Sequence, residues 1–218
     1  MKNVKTSLIL FTIILAIIII LEITGSFNPI NNYFLSEIKL DNNIYIKMLT
    51  DTASSEAFLI YMIIIYFSQA VLKKHVTKNA VSFIVAIIIS MIATEFIKAF
   101  TGIPRPHEIS QHWPLLTALI NADYFSFPSG HIVRVSVFAF YITYVFNNTK
   151  NNYIKYLSWI YALAIMYTRL TLQVHWFSDL LAGIVLAVWS SLLVIQFENI
   201  WLKIYKKIFD KIKILRIY

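Results

Sequence analysis

The sequence predicts an all-α fold class: a polytopic membrane helical bundle of about six transmembrane helices, with both termini cytoplasmic. Hydrophobic residues make up 59% of the chain and charged residues only 14%, which excludes an ordinary soluble domain. The apolar residues form long runs, and a helix needs about 20 of them to cross the hydrocarbon core. These runs lack the alternation with a period of two residues that membrane β-barrels show.

Six apolar runs reach or approach the length of a membrane span. Several have a short apolar core and need flanking Tyr, Trp or Lys to complete the crossing. No linker is long enough to divide the chain, so we expect one membrane-embedded domain over residues 1–218. The runs lie at about residues 7–23, 57–72, 80–100, 132–146, 153–167 and 176–200.

The first run has an alternative interpretation as a cleaved signal peptide, because Lys2 and Lys5 precede it. The run is long for a signal peptide, and no small-residue cleavage site follows it cleanly. We therefore expect it to be retained as a span.

Basic residues are distributed unevenly between the two ends of the predicted bundle. Of the 19 Lys and Arg, 13 fall on one side, and outside the motifs described below the other side has only Lys39 and Lys47. Cytoplasmic segments carry the excess of basic residues, so both termini are expected in the cytoplasm. The 13 are Lys2, Lys5, Lys73, Lys74, Lys78, Lys150, Lys155, Lys203, Lys206, Lys207, Lys211, Lys213 and Arg216.

A polar segment between the last two runs contains Arg169, His175 and Asp179 at a depth where lipid should begin. If the chain is helical from His175 onward, His175 and Asp179 share one face. A carboxylate in that position fixes the tautomer of an imidazole and raises its basicity. The alternative is a structural histidine at a helix end, and this segment alone leaves both interpretations open.

The third run ends in a second polar motif, in which Lys98 is followed by Gly102 and Arg105. Gly102 is expected to end the helix. Taken alone, Lys98 is better explained as a side chain that extends to the membrane surface. Arg105, between Pro104 and Pro106, has no such explanation.

A third motif, Ser129, Gly130 and His131, directly precedes the fourth run. Serine is a good N-cap, glycine allows close approach of the backbone to a ligand, and the free N–H groups of a helix start bind anions. The alternative is an ordinary turn into a helix, which would need no histidine.

Arginine is scarce, with four residues against fifteen lysines, yet Arg105, Arg134 and Arg169 all lie at the outer ends of spans. A guanidinium binds phosphate oxygens in a bidentate manner that lysine cannot reproduce. Ionisable residues at such positions are costly and usually functional. The three motifs therefore predict a phosphate-binding site on the non-cytoplasmic face.

In order and internal spacing, these motifs resemble the three signature motifs of the type 2 phosphatidic acid phosphatase superfamily. They run from Lys98 to Arg105 and Pro106, from Pro128 to His131, and from Arg169 through His175 to Asp179. The chain departs from the family pattern at three positions. Thr168 stands where serine is usual, Arg134 where small residues are common, and His107 where a second proline–arginine pair often begins.

The resemblance implies specific roles for these residues. His175, oriented by Asp179, would attack phosphorus and form a phosphohistidine, while His131 would protonate the leaving oxygen and then accept a proton from water. The other motif residues would hold the phosphate oxygens and stabilise their charge in the transition state. They are Lys98, Arg105, Ser129, Gly130 and Arg169.

No metal or other cofactor is expected. The cationic side chains supply the electrostatic stabilisation, and the sequence has no cluster of Asp and Glu to hold a metal ion. The expected partners are a membrane lipid phosphate substrate and the bilayer. We expect no nucleic acid partner, since the net charge of +8 suits anionic lipid, and we infer no obligate protein partner.

Three further residues are candidates for support of the site. Glu95 lies three residues deeper in the membrane than Lys98, and Arg134 lies three residues deeper than His131. Each step is about 4.5 Å along a helix, so the depths of Glu95 and Arg134 match. We hypothesise a buried Glu95–Arg134 ion pair beneath the phosphate, with water or another polar partner for each as the alternative. Thr168 retains the hydroxyl of the usual serine, and its role is unexplained.

Two segments outside the spans have predicted roles. Residues 106–127, which we call the lid, are predicted to cover the site at the membrane interface, with His107 and His112 as solvated rather than catalytic residues. The basic tail, about residues 201–218, is expected to continue the last helix onto the membrane surface.

The function expected from the sequence is metal-independent hydrolysis of a lipid phosphate or diphosphate on the extracytoplasmic face, in the cell membrane. A polyprenyl diphosphate is favoured, because a compact bundle without a soluble headgroup-binding domain suits a carrier lipid. Phosphatidic acid or phosphatidylglycerol phosphate is the alternative substrate, followed by a water-soluble ester. From another class, a catalytically silent lipid-binding protein or a channel stays open, although a pore would need charges along its length.

Overall fold

The protein is described by a computed structural model that covers residues 3–147, 149–209 and 211–217. Lys2, which contributes to the predicted charge bias, and parts of the predicted tail lie outside these residues. The described chain forms ten α-helices and two short 3-10 turns, Ala122–Tyr124 and Lys213–Leu215. The helices are α1 Val4–Ile23, α2 Asn28–Glu37, α3 Ile44–Asp51, α4 Ser55–Leu72, α5 Lys78–Thr101, α6 Leu115–Ile120, α7 Gly130–Phe146, α8 Tyr153–Thr171, α9 Phe177–Gln196 and α10 Glu198–Phe209.

The six predicted spans coincide with α1, α4, α5, α7, α8 and α9, which confirms the prediction of a polytopic helical bundle. Among the described residues, α1, α4, α5 and α9 are long and apolar enough to cross a membrane, and α7 is a shorter apolar helix. The ends of α5 and α8 and the starts of α4, α7 and α9 lie at one end of the bundle, which is the alternation that successive crossings require. The count of six and the cytoplasmic termini stay predictions.

Local sequence determines where the spans begin and end. Ser54 caps α4 by accepting a hydrogen bond from the N–H of Ala57 at 3.1 Å. Gly102 ends α5 in the left-handed conformation, with φ of 61°, as the sequence predicted. The polar residues that follow α5 and precede α4 lie at the same end of the bundle, where they line one cavity.

Helix α7 lies at the centre of the bundle and packs against α5, α8 and α9. Its Ile132, Val133 and Val135 are fully buried. Gly183 of α9 allows close packing, because a Cβ atom there would lie 3.1 Å from both Ile132 and the carbonyl oxygen of Ser129. The starts of α7 and α9 are therefore held in direct contact.

Two details of the predicted organisation are wrong. The last span does not extend to residue 200: α9 ends at Gln196, and α10 is a separate helix rather than its continuation. After α10 the chain returns to the bundle, where the N–H of Val76 donates to the carbonyl of Arg216 at 3.0 Å. Helices α2 and α3, which lie between the first two spans, were not predicted from the sequence.

Candidate active site

Side chains from the three motifs converge at one end of the bundle on a cavity of about 300 Å³. The end of α5, the starts of α4, α7 and α9, and the lid all contribute to its walls. The cavity therefore brings together residues that lie more than a hundred positions apart in the sequence. Its lining consists of Ser54, Ser55, Glu56, Met91, Glu95, Lys98, Arg105, Asp123, Gly130, His131, Arg134 and His175.

The His175–Asp179 pair is formed as predicted. The Nδ1 atom of His175 lies 3.0 Å from Oδ2 of Asp179, and both side chains are buried. The same Oδ2 atom accepts a hydrogen bond from the N–H of Trp176 at 2.8 Å. Because α9 begins at Phe177, His175 precedes the helix, and the contact arises from the turn into α9 rather than from a shared helix face.

The environment of His175 favours its neutral form. Burial is the main cause that lowers the pKa of His175 well below its ordinary value, and the positive charges of Arg169, Arg105 and Lys98 act in the same direction. With Nδ1–H donated to Asp179, the lone pair of the neutral ring is on Nε2. In that tautomer, a neutral His175 would use Nε2 as its nucleophilic atom.

The second motif places Ser129, Gly130 and His131 at the start of α7. The N–H of Ser129 donates to the carbonyl of Asp179 at 3.1 Å, so this backbone group links α7 to α9. The Ser129 hydroxyl is fully buried and, among the described residues, makes no hydrogen bond. Gly130 and His131 line the cavity itself.

Arg169 lies at the end of α8, where its positive charge acts on His175, but it is not among the residues that line the cavity. Its Nη1 atom donates to Oγ1 of Thr50 at 3.0 Å, and its side chain is buried. Within the described part of the chain, its Nε atom is buried without a partner. A guanidinium held by one nitrogen, with another unsatisfied, is suited to bind an oxyanion.

The first motif contributes Lys98 and Arg105, and Asp123 of the lid contacts both. Nζ of Lys98 lies 3.5 Å from Oδ1 of Asp123. Arg105 donates through Nη2 to the carbonyl of Asp123 at 2.9 Å and through Nη1 to the carbonyl of Val174 at 3.2 Å. Asp123, which was not predicted as a site residue from the sequence, therefore contacts both cations of the first motif.

The hypothesised Glu95–Arg134 ion pair is wrong. Both residues line the cavity, but no ion pair joins them in residues 3–147, 149–209 and 211–217. Arg134 instead donates through Nε to the carbonyl of Ala53 at 2.9 Å, and its Nη1 lies 3.5 Å from the sulfur of Met91. Matched depth did not fix side-chain direction, and Nε of Arg134 donates to a backbone carbonyl instead of to Glu95.

Thr168 is buried, and its hydroxyl donates to the carbonyl of Ile165 in its own helix at 2.7 Å. The Thr168 hydroxyl therefore contacts its own helix α8 and does not line the cavity.

Five residues of the site or its immediate support were not predicted from the sequence. They are Thr50, Ser54, Ser55, Glu56 and Asp123. A serine pair followed by Glu56 at the start of the second span is a helix-start signal, which would have placed Ser54, Ser55 and Glu56 at the same end as the motifs.

No group of three or more His, Cys, Asp or Glu side chains that could hold a metal ion occurs among the described residues. Metal independence stays a prediction that an activity assay must test.

Known proteins share both the sequence pattern and the fold. The family model of the PAP2 superfamily matches residues 79–202, which include all three motifs and more than half of the chain. The chain belongs to the PAP2 superfamily. The resemblance inferred from the motifs is confirmed.

One relative of this PAP2 protein and one solved structure with the same fold are informative. An undecaprenyl-diphosphatase from Sulfolobus acidocaldarius is 31% identical over 126 residues, which are 58% of this chain and 58% of that protein. The chain thus spans just over half the length of this curated relative. A PAP2 type phosphatidylglycerolphosphate phosphatase from Bacillus subtilis has the same fold, with a TM-score of 0.69, 18% identity, and coverage of 88% of this chain and 96% of that one.

Proposed function

We propose that this protein is a membrane-bound lipid phosphatase that hydrolyses its substrate through a phosphohistidine on His175. One observation supports the proposal: a buried imidazole in contact with Asp179 faces a cavity that is lined by Lys98, Arg105, His131 and Arg134. A positioned nucleophile beside several cations is the arrangement that phosphoryl transfer needs, because catalysis there depends on positioning and charge stabilisation.

In the first step, Nε2 of His175 attacks phosphorus while the bond from phosphorus to the leaving oxygen breaks. His131 delivers a proton to that oxygen, and the negative charge of the bound phosphate favours the protonated form of His131 before this transfer. Asp179 accepts the Nδ1–H bond and stabilises the positive charge that develops on the ring of His175. Lys98, Arg105 and Arg169, with the Ser129 hydroxyl and Gly130, bind the phosphoryl oxygens.

In the second step, a water molecule attacks phosphorus and gives its proton to His131. The N–P bond breaks, inorganic phosphate leaves, and His175 returns to its neutral form. The cationic residues stabilise charge in both steps, so the proposal assigns no step to a metal ion and predicts activity in the presence of EDTA.

We favour a polyprenyl diphosphate as the substrate and the extracytoplasmic face of the cell membrane as the location. The curated relative is named as an undecaprenyl-diphosphatase, and its identity of 31% exceeds the 18% of the structural neighbour. A compact bundle without a separate headgroup domain also suits a carrier lipid. The second candidate substrate is phosphatidylglycerol phosphate or phosphatidic acid, which the almost complete coverage of the Bacillus phosphatase favours.

A panel of lipid phosphates in detergent tests the proposal. Phosphate release is measured for polyprenyl diphosphate, polyprenyl monophosphate, phosphatidylglycerol phosphate and phosphatidic acid, each with and without EDTA. We expect release by the wild type in EDTA, greatest for the polyprenyl diphosphate, and none by His175→Ala. Equal release by both proteins would overturn the enzyme assignment, and loss of activity in EDTA that magnesium restores would overturn metal independence.

A further inference from the structure

The lid presents one acidic residue, Asp123, to two cations of the proposed phosphate site. Its carboxylate Oδ1 lies 3.5 Å from Nζ of Lys98, and its carbonyl oxygen accepts a hydrogen bond from Arg105 at 2.9 Å. The two contacts use different atoms of the same residue. The backbone contact can therefore persist while the side chain rotates away.

The position of Asp123 is fixed by the packing of its neighbours. Phe125 is buried beside Ala99 of α5, and the rings of Trp113, Tyr124 and Phe125 contact one another with centroids 5.1 to 5.7 Å apart. The Tyr124 hydroxyl donates to the carbonyl of Ile109 at 2.6 Å. The backbone of residue 123 is thus held over the end of α5.

The two partners of the ion pair differ greatly in exposure. The side chain of Asp123 is 99% exposed, whereas that of Lys98 is 4% exposed. In the described part of the chain, Asp123 is the one acidic side chain within ion-pair distance of Lys98. A buried ammonium needs an anionic partner, and the exposed carboxylate of Asp123 at the cavity supplies one when no phosphate is bound.

We propose that Asp123 is a positioning residue whose carboxylate holds Lys98 between turnovers and competes with phosphate for it. This inference rests on the proposed function, because it assigns Lys98 to a phosphate oxygen. Binding of substrate displaces the carboxylate from Lys98, and its return favours the departure of product phosphate. Asp123 thus weakens the binding of phosphate ligands and speeds the release of product phosphate.

The exposure of Asp123 sets the size of the change in phosphate binding that we expect when its charge is removed. An ion pair with one fully exposed partner contributes little, so its removal is expected to tighten phosphate binding by about two- to five-fold. Asp123→Asn preserves the shape of the side chain and removes its charge. Because substrate and product phosphate compete with the same carboxylate, KM and the dissociation constant of phosphate should fall by similar factors, while kcat does not rise.

The experiment measures binding of inorganic phosphate to the full-length protein in detergent by thermal shift, at constant ionic strength. Asp123→Asn and Asp123→Ser are compared with the wild type, and Asp123→Glu tests whether a restored carboxylate restores weaker binding. Glu108→Gln is the matched control, since Glu108 is an exposed acid of the same lid outside the cavity lining.

We expect tighter phosphate binding in Asp123→Asn and Asp123→Ser, a value closer to the wild type in Asp123→Glu, and no change in Glu108→Gln. Unchanged or weaker binding in Asp123→Asn, an equal effect in Glu108→Gln, or no phosphate binding by the wild type would overturn the inference. The assay involves no lipid hydrolysis, so it can succeed even if the lipid panel shows that the proposed function is wrong.

Discussion

The Nδ1 atom of His175 lies 3.0 Å from Oδ2 of Asp179, in a contact from which both side chains exclude solvent. The Oδ2 atom also accepts a hydrogen bond from the N–H of Trp176. The backbone at the start of α9 therefore fixes the carboxylate that contacts the ring of His175. The function proposed for the protein depends on this relationship, because it leaves Nε2 as the nucleophilic nitrogen.

Asp179→Asn should impair catalysis without abolishing the fold. The amide oxygen can still accept the N–H of Trp176, but it orients the imidazole poorly and does not stabilise its positive charge. By analogy with the orienting carboxylate of other histidine-dependent enzymes, kcat should fall by about 10²- to 10⁴-fold. Steady-state kinetics on the best substrate of the panel measure this, with the unfolding midpoint as the folding control. A loss in kcat of less than about ten-fold would show that Asp179 does not orient the nucleophile.

Thr50→Val should weaken substrate turnover through Arg169. The Thr50 hydroxyl accepts a hydrogen bond from Nη1 of Arg169 at 3.0 Å, and a hydrogen bond to a charged group is worth about 1.5 to 3 kcal/mol. We expect kcat/KM to fall about ten-fold or more, which corresponds to the lower end of that range. The matched control is Thr52→Val, since Thr52 hydrogen-bonds Tyr161 at 2.7 Å outside the cavity lining. Equal effects of the two changes would contradict the role of Thr50.

The stability of the protein should decrease in acid through His175. Burial lowers the pKa of His175, whereas the unfolded imidazole keeps a pKa of about 6.5. Below that pH the His175 side chain binds up to one proton more in the unfolded chain than in the folded chain. The free energy of unfolding therefore falls as pH falls, by at most about 1.4 kcal/mol per pH unit from this residue. His175→Asn removes this proton uptake and retains a donor for Asp179.

The thermal unfolding midpoints of both proteins are measured at a fixed heating rate between about pH 7.5 and about pH 5.5. This range spans the ordinary pKa of histidine. We expect the midpoint of the wild type to decrease more steeply than that of His175→Asn. Parallel pH dependence in the two proteins would show that His175 titrates normally in the folded state.

The motifs and the class of fold could be predicted because their signals are local. Long apolar runs indicate spans, and the residue pairs of the third motif lie close enough in sequence for their contact to follow from backbone geometry alone. The His175–Asp179 contact is of this kind, although a turn rather than a helix face produces it. Gly102 likewise ends its helix for a reason that is intrinsic to the residue.

The remaining features depend on contacts between distant segments. Thr50 and Arg169 are 119 residues apart, and no spacing in the sequence brings them together. The Glu95–Arg134 hypothesis used depth along two helices, but their rotation about the helix axes decides which side chains meet. The carbonyl of Ala53, which accepts the hydrogen bond from Arg134, comes from a segment whose path over the site the sequence does not reveal.

Helices α2 and α3 were missed because neither is a long apolar run. Asn31 of α2 nevertheless supports the site, since its Oδ1 accepts the N–H of Ser178 at 3.0 Å and its Nδ2 donates to the Ser178 hydroxyl at 2.9 Å. This contact secures the first turn of α9, directly beside Asp179. A short polar helix between spans thus contributes contacts that support the site.

The most direct test of the account is to trap the phosphoryl group on the protein. The full-length protein is incubated with substrate labelled in its terminal phosphate and quenched in alkali, where phosphohistidine survives, and the labelled peptide is identified by mass spectrometry. We predict a phosphoryl group on Nε2 of His175 in the wild type and no labelled peptide from His175→Ala. Phosphate on another residue, or turnover by the wild type with no covalent label at any quench time, would contradict nucleophilic catalysis by His175.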